Sequence, residues 1–402
     1  MSVMKQRLES FGGILALEEP PMLVHVDRDF MRGLGHEQSP LWQQPESDLL
    51  SAPLEVHLSL TNACSMRCRH CYMDSGEREA GELSAQGFRD AVDLLAGMGV
   101  FHMALGGGEA LERADFFELA SYVRLQGMVP NLTTNGQLLT RESAAKCRIF
   151  GQVNVSIDGI GDSPGEGRDP DSLAAAVRGV DLLLDAGVKV GLNCVVSRQN
   201  FDQLPGLFTF AGERGLTDLE LLRLKPAGRA KLDYFQRRLT PEQNLEFYPT
   251  IRSLSLEYRV AAKIDCSFVP MFCWHRPDRT LMEQFSVYGC EAGNVLVGVR
   301  SDGRFAGCSF LSGEESIFEL PGVWNSSPHL GSLRSWTDRA PEPCRSCPYL
   351  EICKGGCRAV SKFVAGDLNA PDPECPFVLA HRAEEAWDGR ERRRAARWGA
   401  RP

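Results

Sequence analysis

The chain lacks the features that would place it in a membrane, on nucleic acid or outside the cell. No uninterrupted apolar run approaches the about 20 residues of a membrane span. The first ten residues are polar and lack the apolar segment and small-residue cleavage site of a secretory signal. Lys and Arg number 44 against 53 Asp and Glu, and this net charge of -9 argues against a phosphate backbone as the main partner. We therefore expect a soluble, cytoplasmic protein with neither a membrane nor a nucleic-acid partner.

Disulfides are not expected either, although the chain contains 14 cysteines. The cytosol keeps thiols reduced, so cysteines at regular spacings in that compartment indicate metal binding. The remaining composition is that of a globular protein, with 43% hydrophobic and 24% charged residues. A chain of 402 residues is long enough for two or three domains.

From Glu55 onward, short apolar or β-branched runs alternate with amphipathic stretches of helical period, which is typical of βα units around a parallel sheet. The predicted strands are 55–60, 102–105, 130–133, 153–157, 189–196 and 219–224. The predicted helices are 85–98, 115–126, 141–150, 172–186, 204–214 and, further along, 241–254. We therefore predict an α/β fold whose main part is a partial (β/α)6 barrel.

The predicted domains follow from this pattern and from the positions of the cysteines. They are an N-terminal extension of unknown role at 1–53, the barrel at 54–230, a bridging region at 231–289, a cysteine-rich domain at 290–380 and a basic tail at 381–402. The cysteine-rich segment has a low apolar density and would need metal to be stable. The basic tail is typical of a solvated helix end.

Three cysteines directly follow the first predicted strand, in the segment TNACSMRCRHCY, where Cys64, Cys68 and Cys71 have the spacing CxxxCxxC. Three thiolates are too few for a closed zinc site, but they leave one iron of a four-iron cluster open for chemistry. A zinc loop or three unrelated buried cysteines is the alternative. The segment resembles the signature of the radical S-adenosylmethionine (radical SAM) superfamily. The resemblance implies a four-iron cluster that cleaves S-adenosylmethionine to a 5'-deoxyadenosyl radical.

Four further polar segments lie at or near successive strand ends, where a parallel barrel places its site. The segment Gly106 to Glu109 resembles the superfamily's glycine-glycine-glutamate segment, which holds the amino group of the cofactor. At the position of His70, relatives usually have an aromatic residue that contacts the adenine of the cofactor. After the turn that reads SIDG in this chain, relatives usually have a His and then an Arg-Gly pair. Arg168 is the cation available in this chain. The resemblance thus implies these cofactor contacts: His70, Gly107, Gly108, Glu109, Asn135, Ser156, Arg168 and Asn193.

A second group of cysteines has the pattern C-x12-G-x4-C, a gap, C-x2-C-x5-C-x3-C, a gap, and C. One or two zinc knuckles are the alternative reading, because CxxC alone suits zinc. The seven positions resemble the SPASM extension of radical SAM enzymes. The resemblance implies two auxiliary four-iron clusters, the first held by Cys290, Cys308 and Cys357 and the second by Cys344, Cys347, Cys353 and Cys375.

Two four-iron clusters need eight ligands, and the pattern provides seven. Cys273 or Cys266 could supply the eighth, and we favour Cys273 because it lies nearer to Cys290 in sequence. Cys147 and Cys194 lie in helix and strand patterns, where core packing is the simpler interpretation.

Radical SAM enzymes with this extension typically modify peptides or proteins, so the resemblance implies a peptide or protein substrate and a flavodoxin- or ferredoxin-type electron donor. A sulfatase-activating role is disfavoured because Ser309, and not Asp, follows Cys308. A small-molecule enzyme of the haem pathway is one alternative, and a non-catalytic iron–sulfur or zinc scaffold is another. No residue is assigned as acid or base, although charged residues around the sixth strand are candidates for orienting a substrate carboxylate: Glu220, Arg223, Lys225 and Arg229.

Overall fold

The computed structural model describes residues 3–19, 21–43, 45–160 and 170–384. The chain forms two compact units and crosses from one to the other several times. The first unit contains Met1–Ile157, Gly167–Asn193 and Glu291–Arg334. The second unit contains Asp158–Glu166, Cys194–Cys290 and Ser335–Pro402. These units divide the chain differently from the five predicted domains, whose boundaries stay a prediction.

The strands confirm the six predicted barrel strands and add others before and after them. In chain order they are β1 Val3–Glu9, β2 Gly12–Leu17, β3 Met22–Asp27, β4 Glu55–Ser59, β5 His102–Gly106, β6 Val129–Thr134, β7 Val153–Ser156, β8 Val190–Val196, β9 Asp218–Arg223, β10 Ala261–Ile264, β11 Leu296–Val299 and β12 Phe305–Ala306.

The helices include all six that the sequence predicts. In chain order they are α1 Arg28–Gly33, α2 Ala85–Gly97, α3 Phe116–Leu125, α4 Arg141–Lys146, α5 Pro170–Asp185, α6 Leu204–Glu213, α7 Tyr234–Arg237, α8 Pro241–Tyr258, α9 Val269–Trp274, α10 Arg279–Gln284, α11 Leu320–Val323, α12 Pro328–Arg334, α13 Leu350–Cys353 and α14 Arg358–Ala365. Short 3-10 helices lie at 40–43, 110–112, 147–149, 201–203, 228–231, 266–268, 317–319 and 337–339. Among the described residues, no helix combines the length and apolar character needed to cross a membrane.

In the first unit, β4 to β8 pair side by side in chain order, and every pair is parallel. Helices connect these strands, so each strand buries apolar residues such as Val56 and Leu58, which are at most 2% exposed. Beyond β4 the sheet continues with β11, parallel to β4, and then β12, antiparallel to β11. The carboxyl ends of β4 to β8 therefore meet at one edge of the sheet.

The helices of the barrel begin and end where their sequences predict. Ser84 caps α2, because its hydroxyl accepts a hydrogen bond from Gly87 N at 3.0 Å. Glycines in the left-handed region follow three of these helices, at Gly99, Gly127 and Gly187. Helix α2 buries Phe88, Ala91, Val92 and Leu95 in the core. The spacing of these four residues places them on one face of the helix.

Residues 3–27 form an antiparallel three-stranded sheet of order β1-β2-β3, which the sequence did not predict. Arg7 on β1 is buried beside Glu9, with Nε 2.7 Å from the Glu9 carboxylate. Its guanidinium also donates to Ala52 O at 2.8 Å and to Pro53 O at 2.9 Å, just before β4 begins. The small sheet is therefore attached at the amino ends of the barrel strands, opposite to the edge where a barrel carries its site.

The second unit contains β9 and β10, which are parallel, together with helices α6 to α10, α13 and α14. One of its apolar clusters consists of buried residues from α9, α10 and α13: Val269, Cys273, Met282, Tyr349, Ile352 and Cys353. Cysteine side chains thus form part of the core in this unit.

Candidate cofactor site and cysteine groups

The loop that follows β4 carries Cys64, Cys68 and Cys71, all half-buried. Cys71 N donates to Cys68 O at 3.3 Å, and Cys64 N donates to Gly76 O at 2.9 Å, which closes the loop at its base. Burial, together with the nearby charges of Glu109 and Cys68, raises the pKa of Cys64 to about 11. The three thiols therefore share one loop at the carboxyl end of the first barrel strand.

A single metal ion and a four-iron cluster need different arrangements of thiols. Among the described residues, no three His, Cys, Asp or Glu side chains converge on one point as a single ion requires. A zinc ion binds each of its sulfur ligands at a Zn–S distance of about 2.3 Å. A four-iron cluster binds each thiolate through a different iron, so its cysteines stand further apart.

Gly107 and Gly108 let the loop after β5 run directly against the cysteine loop. A Cβ atom on Gly107 would lie 2.5 Å from Thr61 O, and one on Gly108 would lie 2.0 Å from Ala63 O. Gly108 N instead donates to Thr61 O at 2.7 Å. Gly107 also has a φ of +131°, which residues with a side chain rarely adopt. The glycines thus fix the position of the cysteine loop, a role that the sequence analysis did not assign to them.

Glu109 is a buried carboxylate, only 1% exposed. It accepts hydrogen bonds from the Thr134 hydroxyl and from Asn135 N, both at 2.8 Å. Burial raises its pKa, and these two hydrogen bonds lower it in part. In the described part of the chain no Lys, Arg or His forms an ion pair with it. An ammonium group would supply the missing positive charge, so Glu109 fits the role that the resemblance implies.

Polar side chains also lie at the ends of the next strands. Ser156 on β7 and Asn193 on β8 are paired in register. Asn193 Nδ2 donates weakly to the Thr133 hydroxyl at 3.4 Å, while its buried Oδ1 has no partner. A buried amide oxygen without a donor fits a ligand group that donates a hydrogen bond. His70 lies half-buried between Cys68 and Cys71, and Arg168 lies outside the described residues.

Cys308 lies close to the cysteine loop within the first unit. A small cavity is lined by Cys308, Ser309, Tyr72, Met73 and Ser59 among others. The rings of Tyr72 and Phe310 pack with their centroids 4.9 Å apart. Burial, together with the Cys71 charge, raises the pKa of Tyr72 to about 12. Tyr72, which directly follows Cys71, therefore contacts the segment that carries Cys308.

Comparison with known proteins decides the family. The Radical SAM superfamily profile matches residues 58–211. Mycofactocin maturase MftC from Mycolicibacterium smegmatis is 31% identical over 338 residues, which are 81% of this chain and 83% of that protein. The chain belongs to the radical SAM superfamily. The AdoMet-dependent heme synthase of Nitratidesulfovibrio vulgaris is 25% identical, over 79% of this chain and 90% of that protein.

A solved structure confirms the fold of this radical SAM enzyme. It superposes on Streptococcus suis SuiB, crystallised with its precursor peptide SuiA, with a TM-score of 0.73 and 18% identity. The match covers 92% of this chain and 98% of the SuiB chain. The predicted α/β class, with a radical SAM barrel and a cysteine-rich C-terminal SPASM part, is thereby confirmed.

In the second unit of this radical SAM enzyme, one group of thiols consists of Cys266, Cys290 and Cys357. Burial raises the pKa of Cys266 well above its usual value, and the charges of Asp265, Cys290 and Cys357 raise it further. Cys357, at the start of α14, is 7% exposed. Cys266 therefore lies beside two cysteines of the C-terminal pattern.

A second group of thiols in the same unit contains Cys273. One cavity in this unit is lined by five cysteines. The pKa of Cys353 is raised well above its usual value, mainly by a hydrogen bond to Cys273 and also by burial. The cysteines that line this cavity are Cys273, Cys344, Cys347, Cys353 and Cys375. Cys266 thus lies near Cys290 and Cys357, whereas Cys273 lies among the cysteines of this cavity. The choice of Cys273 as the eighth ligand stays a prediction.

Glycines make the second group possible. The segment from Lys354 to Gly356 has three consecutive residues in the left-handed region. A Cβ on Gly355 would lie 2.1 Å from the Trp336 ring, and one on Gly289 would lie 1.9 Å from Cys353 O. The spacing C-x3-C therefore depends on a tight turn that only glycine can complete.

The remaining cysteines are structural. Cys147 and Cys194 are both 0% exposed, which confirms the prediction that they pack in the core. Burial raises the pKa of Cys147 to about 12, so this thiol stays protonated.

Arg223 and Lys225 do not face a substrate, contrary to the expectation from sequence. Arg223 is 4% exposed and forms ion pairs with Asp372 at 2.7 Å and Glu374 at 2.8 Å. Lys225 is 6% exposed and forms an ion pair with Asp265. Both charges are already neutralised inside the second unit, so neither is available to orient a substrate carboxylate.

Proposed function

We propose that this radical SAM enzyme modifies a side chain of a ribosomally synthesised peptide or protein by hydrogen abstraction. The observation that carries the proposal is the 31% identity to a mycofactocin maturase over 81% of this chain, far more than the barrel alone. The similarity of fold to SuiB, a protein solved with its precursor peptide, supports it. A flavodoxin- or ferredoxin-type protein would supply electrons in the cytoplasm.

Cys64, Cys68 and Cys71 would hold the four-iron cluster of the radical site. Held there in its reduced form, the cluster would supply the one electron needed to cleave bound S-adenosylmethionine to methionine and a 5'-deoxyadenosyl radical. Glu109 would bind the cofactor's ammonium group, because a buried carboxylate without a cation partner favours a positive ligand. Asn193 would donate and accept hydrogen bonds beside Ser156, and His70 would lie against the adenine. Hydrogen abstraction needs no acid or base from the chain, whose residues position the cofactor and exclude water.

The two thiol groups of the second unit would hold the auxiliary clusters. Cys266, Cys290 and Cys357 would bind the first. Cys344, Cys347, Cys353 and Cys375 would bind the second. This assignment leaves the Cys273 thiol as a neighbour of a ligand.

A small-molecule activity in the haem pathway is the second candidate, since the heme synthase relative matches over 79% of this chain. The two functions differ in their substrates. A precursor peptide changes in mass when it is coexpressed with a peptide maturase, whereas a haem enzyme acts on an iron porphyrin. We therefore expect a mass change in a short peptide encoded beside this chain, and no turnover of iron coproporphyrin.

The first experiment is anaerobic purification and reconstitution, followed by iron and sulfide counts and an assay for 5'-deoxyadenosine with dithionite. We expect about twelve irons per chain and nucleoside formation from the wild type. The control is a Cys64→Ala, Cys68→Ala, Cys71→Ala variant, which should lose about four irons and all nucleoside formation. Zinc in place of iron, or no nucleoside from the wild type, would contradict the proposal.

A further inference from the structure

Two buried cations at the end of β9 approach the cysteines of the first auxiliary group. Lys225 Nζ forms an ion pair with the Asp265 carboxylate, directly before Cys266. The other oxygen of Asp265 accepts a hydrogen bond from Ser267 N at 2.7 Å and so caps the turn that carries Cys266. Lys225 is thus fixed beside this cysteine through a single carboxylate.

Arg223 reaches Cys357 in the same way. Its guanidinium donates to both oxygens of Asp372, at 2.7 and 3.1 Å. Asp372 Oδ2 in turn accepts a hydrogen bond from Cys357 N at 3.0 Å. Asp372 is 0% exposed, so this contact is shielded from water. Lys225 and Arg223 are therefore each connected through one carboxylate to one cysteine of the first auxiliary group.

Lys225 is 6% exposed, and its partner Asp265 lies directly before Cys266 in the chain. The charges of this ion pair therefore lie near a proposed ligand, in an interior where charges interact strongly.

We propose that the Lys225–Asp265 pair sets the reduction potential of the first auxiliary cluster, Lys225 raising it and Asp265 lowering it. Reduction adds one electron to the cluster. A buried cation close to the thiolates stabilises that added charge, and a buried carboxylate disfavours it. The proposal rests on the proposed function, because it requires the Cys266 group to bind iron.

The test uses the full-length holoenzyme in a Cys64→Ala, Cys68→Ala, Cys71→Ala background, so that only auxiliary clusters give signals. The first cluster is identified as the signal that a further Cys290→Ala substitution removes. Its midpoint potential is then measured by dithionite titration with electron paramagnetic resonance. We expect Lys225→Met to shift the midpoint downward and Asp265→Asn to shift it upward. Each shift should change the ratio of reduced to oxidised cluster about tenfold at a fixed potential, or about 59 mV for one electron.

Two further variants keep the test decisive. Lys225→Arg retains the charge and should restore most of the midpoint if Lys225→Met assembles poorly. Lys263→Met removes a Lys that is 52% exposed and forms an ion pair with Asp218 on the neighbouring strand, so its midpoint should match that of the wild type. An unchanged midpoint potential in Lys225→Met would overturn the proposal, and so would shifts of the same sign in Lys225→Met and Asp265→Asn. The absence of iron from the wild type would instead overturn the proposed function itself.

Discussion

The Thr134 hydroxyl donates a hydrogen bond to the buried carboxylate of Glu109 at 2.8 Å. Thr134 ends β6, whereas Glu109 lies in the loop after β5, so two neighbouring strands fix one carboxylate. The carboxylate is thereby oriented before any ligand arrives. Its charge, and not its shape, is what an ammonium group would recognise.

We expect Glu109→Gln to weaken the binding of S-adenosylmethionine. Gln keeps the shape and one acceptor oxygen but removes the negative charge. A hydrogen bond to a charged group contributes about 1.5 to 3 kcal/mol, so the Kd should rise roughly 10- to 150-fold. Isothermal titration calorimetry on the reconstituted enzyme measures this change.

Glu118→Gln is the matched control, since the Glu118 side chain is 67% exposed and pairs with Arg89 on the surface. Its Kd should equal that of the wild type. An unchanged Kd in Glu109→Gln would mean that this carboxylate is a structural acceptor only.

The choice of the eighth ligand can be tested with two cysteine variants. Cys266→Ala should lower the iron content by about four atoms per chain, because Cys266 lies beside Cys290 and Cys357. Cys273→Ala should retain all the iron, since four other cysteines line its cavity. Iron analysis and Mössbauer spectroscopy of both reconstituted variants distinguish the outcomes. The reverse pattern would restore Cys273 as the ligand.

The barrel could be predicted from the sequence because its signals are local. Strands such as Val190–Val196 are short runs of mostly apolar or β-branched residues, and Gly99 and Gly127 end the helices that precede β5 and β6. The order of the cysteines likewise indicated the radical loop and the SPASM pattern. These features depend on residues that are close together in the chain.

The parts that were not predicted depend on contacts between distant residues. In β1, the charged residues Arg7 and Glu9 are both buried and form an ion pair with each other. Cys273 is nearer than Cys266 to Cys290 in sequence, yet it lies in the core cluster with Cys353. Distance in the sequence alone therefore does not determine which thiols lie together.

We expect Gly108→Ala to disturb the radical site selectively. The added methyl group would lie 2.0 Å from Ala63 O, which is backbone and cannot move without shifting the cysteine loop. Overpacking of this kind costs about 1 to 3 kcal/mol. The variant should lose about four irons and its nucleoside formation, while the auxiliary signals remain. Gly206→Ala is the control, because its Cβ would meet no atom within 4 Å. Full iron content in Gly108→Ala would show that the loop can adapt.

Arg7 attaches the N-terminal sheet to the segment before β4. Arg7→Ala should destabilise the attachment of residues 3–27, because it leaves the Glu9 carboxylate buried without its ion-pair partner. Breaking a buried pair costs about 3 to 5 kcal/mol. Hydrogen exchange in β1 and β2 should therefore accelerate strongly, while exchange in β4 to β7 changes little. Arg279→Ala removes an exposed pair with Glu283 and should change exchange nowhere. Equal protection of β1 in Arg7→Ala and wild type would mean that the paired strands β2 and β3 hold the sheet in place without this anchor.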